Sequence, residues 1–291
     1  MLNGLMADIQ KYMTLLDCPY CHSTSATEIT KNPRVVRCNT CGLYRASPRM
    51  SRDGQVLHLK KFNDEINLAN WPNPLNHSSY IVHEAQGLKM NFPDTFTSGK
   101  ILDVGAADGS FLDALRQAGA TKAIGLEPVK KLVELGRRAG LNIQEGRFEP
   151  DGMPSALVDG TFDTICLREC IYYLPDLREV FDLLRRVLRP GGGLYITCHV
   201  PTSIYYWKNG NYFSRYKENV SGMPTLKAIT NILIKEGYEI QKAGYLPFNI
   251  LHTLGWPYAW SFLGMIIMGS LFPVVHRIGK ADRLYVFARR L

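Results

Sequence analysis

The sequence lacks two glycines that a dinucleotide-binding turn requires. Ile101–Leu112, ILDVGAADGSFL, runs from an apolar, strand-like start through small residues into the helical spacing of Phe111, Leu112 and Leu115. The pattern G-x-G-x-x-G would need glycine at positions 105, 107 and 110, and the last two are Ala107 and Ser110. That absence argues against NAD. Also missing is a basic, apolar, small-residue leader, since Asp8, Gln10 and Lys11 interrupt Met1–Leu16; a cytoplasmic location is the expectation. No internal repeat or low-complexity run occurs, which excludes solenoid and fibrous architectures.

Charge is absent from Leu246 to Val275, thirty residues without Asp, Glu, Lys or Arg. A transmembrane helix needs about 20 apolar residues, and only fifteen residues separate Pro257 from Pro273. Strand patterns on both sides of the segment belong to one sheet, so a single crossing would split that sheet across the membrane. Three readings stay open: a helix lying in the lipid interface, a re-entrant hairpin, or a lid or dimer surface. Trp256, Tyr258 and Trp260 cluster at one end, and His276, Arg277, Lys280 and Arg283 follow the other, which suits peripheral contact with anionic lipid.

What is present is an ordinary globular composition, 46% hydrophobic and 21% charged over 291 residues, enough for one large domain with an appendage or for two modest domains. The net charge of +8 is concentrated at the two ends. Residues 1–60 carry eight Lys/Arg against four Asp/Glu, and residues 246–291 carry five against one. Of seven cysteines, four stand as Cys18-Pro-Tyr-Cys21 and Cys38-Asn-Thr-Cys41, with sixteen residues between the pairs. This is the spacing of a four-thiolate zinc site, with Gly42 free to complete a knuckle turn. Cys166, Cys170 and Cys198 lie in or beside apolar runs and read as core.

The chain divides into a zinc ribbon over 1–50, a connector over 51–99 with a helix near Tyr80–Met90, and an α/β domain over 100–291. Strand patterns at Ile101–Val104, Ala123–Leu126, Asn142–Gln144, Phe162–Leu167, Leu194–Cys198, Tyr238–Tyr245 and Arg283–Ala288 alternate with helix patterns at Ser110–Gln117, Val129–Arg138, Asp176–Leu188 and Thr225–Glu236. Such alternation predicts a mainly parallel sheet with helices on both faces, and a ligand beyond the carboxyl ends of its strands. The positions to examine are therefore Gly105–Gly109, Glu127, Arg147–Glu149, Arg168–Tyr173 and His199–Thr202.

ILDVGAADGSFL, AIGLEP, FDTICLRECIYYLPD and LRPGGGLYITCHVP together resemble the successive motifs of class I S-adenosylmethionine-dependent methyltransferases. The front end, from CPYCHS to CNTCGLYRASPRM, is similar to the zinc-ribbon leader of bacterial methyltransferases acting on glycans and small molecules. The resemblance implies a Rossmann-like domain in which Gly105, Ala107 and Gly109 admit the methionine part of the cofactor and Asp103 orders the loop. It also implies that Glu127 accepts the ribose hydroxyls, and that carbonyls at Leu167 and Arg168 face the methionyl group. Phe148 lies against adenine or packs in the core, with Glu149 or a backbone group reading the adenine edge. Zinc on Cys18, Cys21, Cys38 and Cys41 would be structural.

Many relatives carry Glu-His before LPD, whereas Tyr172 and Tyr173 stand there in this chain. His199, at the end of the fifth strand, is then the candidate base, with Tyr172 and Tyr173 beside it and His83 second. The expected function is methyl transfer to a small-molecule, glycan or lipid-linked acceptor. An RNA methyltransferase is the enzymatic alternative. It is disfavoured because a Zn²⁺ with four thiolates contributes about −2 to the basic front end, and because the C-terminal insertion is apolar where RNA contact needs cations among aromatics. A non-catalytic, zinc-dependent interaction protein is the third reading. Peripheral membrane contact through 246–275 and an oligomer are both compatible with the sequence.

Overall fold

The computed structural model describes residues 11–31, 34–71, 73, 75, 78–158, 161–203, 220–246 and 281–291. The apolar insertion beyond Leu246 lies outside these residues up to Ala281. Among the described residues, no helix is long and apolar enough to cross a membrane.

The front end is a ribbon of five short strands: β1 (Met13–Leu15), β2 (Ala26–Lys31), β3 (Arg34–Cys38), β4 (Tyr44–Ala46) and β5 (Arg49–Met50). β2, β3 and β4 form an antiparallel sheet, and β1 pairs with β5. Two helices follow where the sequence predicts one: α1 (Arg52–Glu65) and α2 (Ser79–Asn91), with the single turn α3 (Pro93–Phe96) after them. α1 starts because the Ser51 hydroxyl accepts from the Gly54 amide. It buries only Gly54 and Gln55, so its apolar residues leave no continuous stripe in the sequence.

The main sheet takes β6 (Lys100–Val104), β7 (Lys122–Glu127), β8 (Ile143–Glu145), β9 (Phe162–Arg168), β10 (Leu188–His199), β11 (Tyr238–Tyr245) and β12 (Arg283–Arg290). Its helices are α4 (Ser110–Gln117), α5 (Lys130–Arg138), α6 (Ser155–Val158), α7 (Leu177–Val187) and α8 (Leu226–Lys235). The strand order is β11-β12-β10-β9-β6-β7-β8. β6, β7, β8, β9 and β10 run parallel, whereas β12 is antiparallel to both of its neighbours, β10 and β11. Each strand expected from the sequence is present, within two residues at its ends except that β10 begins at Leu188 and not at Leu194. The chain reverses between β9 and β6, so the ends of β6, β7, β9 and β10 face one crevice, as doubly wound sheets require.

The ribbon does not hang from this domain. Cys18, Tyr20, Val35 and Leu43 belong to the same apolar cluster as Leu177, Phe181 and Ile196. The Tyr20 hydroxyl donates to Glu236 Oε1 at 2.8 Å, and the Leu177 amide donates to the Pro19 carbonyl at 2.7 Å. Arg49 donates to the Pro175 carbonyl at 2.9 Å and pairs with Asp17. The ribbon and the crevice therefore share one packed interior.

Candidate functional site

β6 delivers Asp103 and Val104 to the loop Gly105–Gly109. Gly105, Ala107 and Gly109 all adopt left-handed backbone, with φ of 71°, 50° and 87°. Close packing requires glycine at two of these. A Cβ on Gly105 would stand 3.0 Å from Cys170 Cβ, and one on Gly109 would stand 2.6 Å from Leu141 Cδ1. Ala107 holds the same region with a side chain, and its amide donates to Glu127 Oε2 at 2.9 Å. Glu127 Oε1 accepts from the Val129 amide at 2.9 Å, so this carboxylate braces the loop while each oxygen keeps a lone pair for a further donor. Asp108 accepts from the Ser110 amide at 3.0 Å and from the Trp71 indole at 3.0 Å, which fastens the connector to the same loop. Gly109→Ala should cost roughly 2–4 kcal/mol, from a left-handed alanine and an overpacked contact together. Denaturant unfolding with an unchanged midpoint would show that the loop yields freely.

Asp103 is 1% exposed, and neither carboxylate oxygen has a hydrogen-bond partner among the described residues. Burial pushes its pKa up to about 7, against the pull of the nearby Arg168 guanidinium. Burial likewise raises Glu127 to about 7, opposed by its two backbone donors. Arg168 turns beneath the loop, pairs with Glu84 and lies 3.9 Å over the Phe111 ring. Glu84 comes from α2 and also accepts from the Tyr195 hydroxyl at 2.9 Å. A buried, unpartnered carboxyl beside a close-fitting, left-handed loop fits a cationic group brought in by a ligand. The ammonium of a methionine moiety has that chemistry.

On the other side of Gly105, three strand ends meet. His199 closes β10 and is 6% exposed. Its Nε2 lies 3.2 Å from Glu169 Oε2, and its Nδ1 lies 3.5 Å from Asp282 Oδ2. The Tyr172 hydroxyl donates to Glu169 Oε2 at 3.1 Å, and Arg283 Nε is 3.8 Å from Glu169 Oε1. Arg283 in turn covers the Tyr80 ring at 5.2 Å. Glu169 has a left-handed φ of 51°, unusual for a side-chain-bearing residue and common at functional positions. Its side chain is 26% exposed against 7% for His199, so the carboxylate is the more reachable group. Tyr172 is buried, whereas Tyr173 is half-exposed with its ring 4.5 Å from that of Tyr172.

The structure brings together Asp103, Gly105, Ala107, Gly109 and Glu127 around the loop, and Tyr172 and His199 around Glu169. Leu167 is fully buried in the sheet at the end of β9, and Arg168 follows it. Phe148 is 2% exposed within the main apolar cluster, at the start of the segment that follows β8. Glu149 is buried and paired with Arg52 and Arg147. His83 sits on the outer face of α2, bonded to the Ser79 carbonyl at 2.6 Å, away from the crevice. Glu169, Asp282, Glu84 and Trp71 were not singled out by sequence. Glu169 fell within the strand-end window 168–173, and that position was its one local signal.

Cys18, Cys21, Cys38 and Cys41 present four sulfur atoms all within 4.8 Å of one another. Cys18 and Cys41 Sγ lie 3.5 Å apart, as do Cys21 and Cys38 Sγ. Sulfurs at about 2.3 Å from a tetrahedral zinc would lie about 3.8 Å apart, so the cluster fits one ion. The two knuckles match: the His22 amide donates to the Cys18 carbonyl at 3.0 Å and the Gly42 amide to that of Cys38 at 2.9 Å. His22 and Gly42 both have positive φ. The ribbon thus meets the turn demand with glycine once and with histidine once.

Comparison with known proteins agrees with this geometry. A family profile described as a methyltransferase domain matches residues 81–243. Sterol 24-C-methyltransferase of Eremothecium gossypii is 26% identical over 174 residues, 56% of this chain and 44% of that protein. The C-methyltransferase NovU of Streptomyces niveus is 25% identical over 42% of this chain and 28% of its own length. The chain thus spans less than half the length of these curated relatives. Geranyl diphosphate C-methyltransferase from Streptomyces coelicolor A3(2) shares the fold with a TM-score of 0.57 at 13% identity, covering 81% of this chain and 98% of that one. A SAM-dependent methyltransferase from Archaeoglobus fulgidus does so with a TM-score of 0.52 at 15% identity, covering 72% and 94%. A seven-stranded sheet of this order, a braced left-handed loop after its first strand, and a profile match over more than half of the sequence assign the chain to the methyltransferase-domain family.

Proposed function

We propose that the protein transfers a methyl group from S-adenosylmethionine to a small-molecule acceptor, with glycan and lipid-linked compounds inside that class. The observation that carries the reading is Asp103, a buried carboxyl whose two oxygens have no hydrogen-bond partner among the described residues, beside a loop too tight for side chains at Gly105 and Gly109. Asp103 would meet the methionine ammonium, Glu127 the ribose diol, and the carbonyls of Leu167 and Arg168 the methionyl chain. S-adenosylmethionine supplies a methyl already activated on sulfur, so the chain's own work is alignment, exclusion of water and removal of the acceptor's proton. His199 would take that proton, with Glu169 3.2 Å from its Nε2 to hold or share the charge and Asp282 3.5 Å from its Nδ1 on the far side. Tyr172 and Tyr173 wall the acceptor side. Similarity to a sterol 24-C-methyltransferase and to a ubiquinone biosynthesis O-methyltransferase supports a small-molecule acceptor.

Zinc on the four cysteines would have a structural part only, because all four positions are filled by thiolates and none is left for water. We infer a cytoplasmic protein in which 246–275 serves as a peripheral lipid contact, a lid or a dimer surface.

The test is incubation with methyl-labelled S-adenosylmethionine and the small-molecule fraction of a cell extract, with total RNA as the competing acceptor. Label should enter a low-mass product. Glu169→Gln and His199→Ala should lower turnover about 100-fold or more and leave S-adenosylhomocysteine affinity unchanged. Label confined to RNA would replace the acceptor class, and unchanged turnover in both variants would return Glu169 and His199 to structural roles.

A further inference from the structure

Glu84 comes from α2, outside the glycine loop and the strand-end motifs, yet its carboxylate ends inside the main domain. It is 5% exposed. One oxygen accepts from the Tyr195 hydroxyl at 2.9 Å, and the other pairs with Arg168. α2 buries Glu84 together with Ala85 and Leu88, so apolar neighbours one turn along hold the acid against the sheet. A carboxylate in such a place needs its cation, because an unpaired buried charge is costly.

Arg168 is that cation, and its position raises a conflict. It ends β9, the strand paired with the one that carries Asp103, and its side chain is 15% exposed. A guanidinium beside a buried carboxyl would ordinarily fork onto it with two hydrogen bonds. Here neither Asp103 oxygen has a hydrogen-bond partner among the described residues, although Arg168 is close enough to act on its charge. Two contacts hold the guanidinium elsewhere. Glu84 takes its Nη2, and its central carbon lies 3.9 Å from the centre of the Phe111 ring. Asp103, Glu84 and Arg168 are thus two carboxyls and one cation, a buried set short of one positive charge.

We propose that Glu84 is a positioning residue for the cofactor: it holds Arg168 off Asp103 and so keeps that carboxyl open for a ligand ammonium. This rests on the reading given above, in which the methionine ammonium of S-adenosylmethionine meets Asp103. Without the Glu84 charge, Arg168 and the ammonium compete for one carboxylate, and the two cations repel each other at close range. Arg168 is always present at the site, so the open state of Asp103 becomes a minor one and ligand affinity falls in proportion. The loss is confined to ligands that carry the ammonium. A ligand with only the adenosine and its thioether asks nothing of Asp103.

The experiment is calorimetry of two ligands against the full-length parent and Glu84→Gln. S-Adenosylhomocysteine carries the ammonium, and 5′-methylthioadenosine lacks the whole amino-acid part. Glutamine keeps the shape of the side chain and an acceptor for Tyr195, and removes the charge. S-Adenosylhomocysteine should bind the variant about tenfold or more weakly, while 5′-methylthioadenosine binds both proteins alike. Equal weakening of the two ligands, or an unchanged affinity for S-adenosylhomocysteine, would overturn the role of Glu84 and leave the cofactor reading intact. A parent that binds neither ligand would overturn both. The double variant Glu84→Gln/Arg168→Met covers the case of a single variant that does not fold, since loss of a whole buried pair is better tolerated than loss of one partner. With the competing cation gone, its preference for S-adenosylhomocysteine over 5′-methylthioadenosine should return to the parent's ratio. A ratio about tenfold below the parent's in the double variant would overturn the proposal.

Discussion

Replacing Cys38 with serine should strip the chain of zinc and lower the thermal midpoint of the whole protein, not of the ribbon alone. Cys38 is 1% exposed, and its sulfur lies within 4.8 Å of the other three. Zinc bound by a small ribbon contributes on the order of 10 kcal/mol to its folding, because the unfolded segment has no preformed site. In a ribbon tethered by a flexible linker that loss would stay local. Here Cys18, Tyr20, Val35 and Leu43 pack in the cluster that holds β9, β10 and α7, and Tyr20 donates to Glu236 at the end of α8. Unfolding the ribbon uncovers that cluster and frees Arg49 from Pro175, close to the Tyr172–Tyr173 wall. Loss of even part of the metal-linked energy should lower the midpoint by roughly 10 °C or more for a domain of this size. Metal analysis of the parent should give one zinc per chain, and calorimetric melting should show a single transition in parent and variant alike. A variant that keeps the parent's midpoint, or a parent without zinc, would separate the ribbon from the fold's stability.

Binding of S-adenosylmethionine should release protons, and its affinity should rise with pH through about 7. In the free protein, burial holds Asp103 and Glu127 each at about 7, above the ordinary carboxyl values of 3.8 and 4.5. A ligand ammonium beside Asp103 and ribose hydroxyls on Glu127 favour the ionised forms, so both pKa values fall on binding. Below about pH 6 the protons must be displaced and affinity is lost, and above about pH 8 the dependence flattens. At pH 7 about one proton per binding event should appear, as the difference in enthalpy between phosphate and Tris buffers. Glu127→Gln should reduce that number and weaken binding by about 1.5–3 kcal/mol, since it removes a charged acceptor and loosens the Ala107 brace. The free protein carries the mirror effect. A folded-state pKa above the unfolded value stabilises the fold fully below about pH 4, and that contribution disappears as pH rises through about 7. Equal enthalpies in the two buffers, or an affinity that falls with pH, would place the cofactor away from these carboxylates.

The sequence by itself determined what is written in short stretches. The β6 strand and its loop, Asp103, Glu127 at the next strand's end, the two cysteine knuckles and the alternation of strands with helices are all set by neighbours in the chain. Period, glycine and spacing therefore reveal them. Only the tertiary structure decided that β12 enters antiparallel between β10 and β11, because strand order depends on pairing across the whole sheet. That one insertion carries Asp282 and Arg283 to His199 and Glu169, residues that no local pattern could join. Trp71 reaches the loop at Asp108, and Glu84 reaches Arg168 at the end of β9, both from a segment that reads as a connector. The ribbon's share in the main core was hidden for the same reason. Docking depends on surfaces that exist only after both parts have folded, whereas a turn, a cap or a knuckle is complete within a few residues.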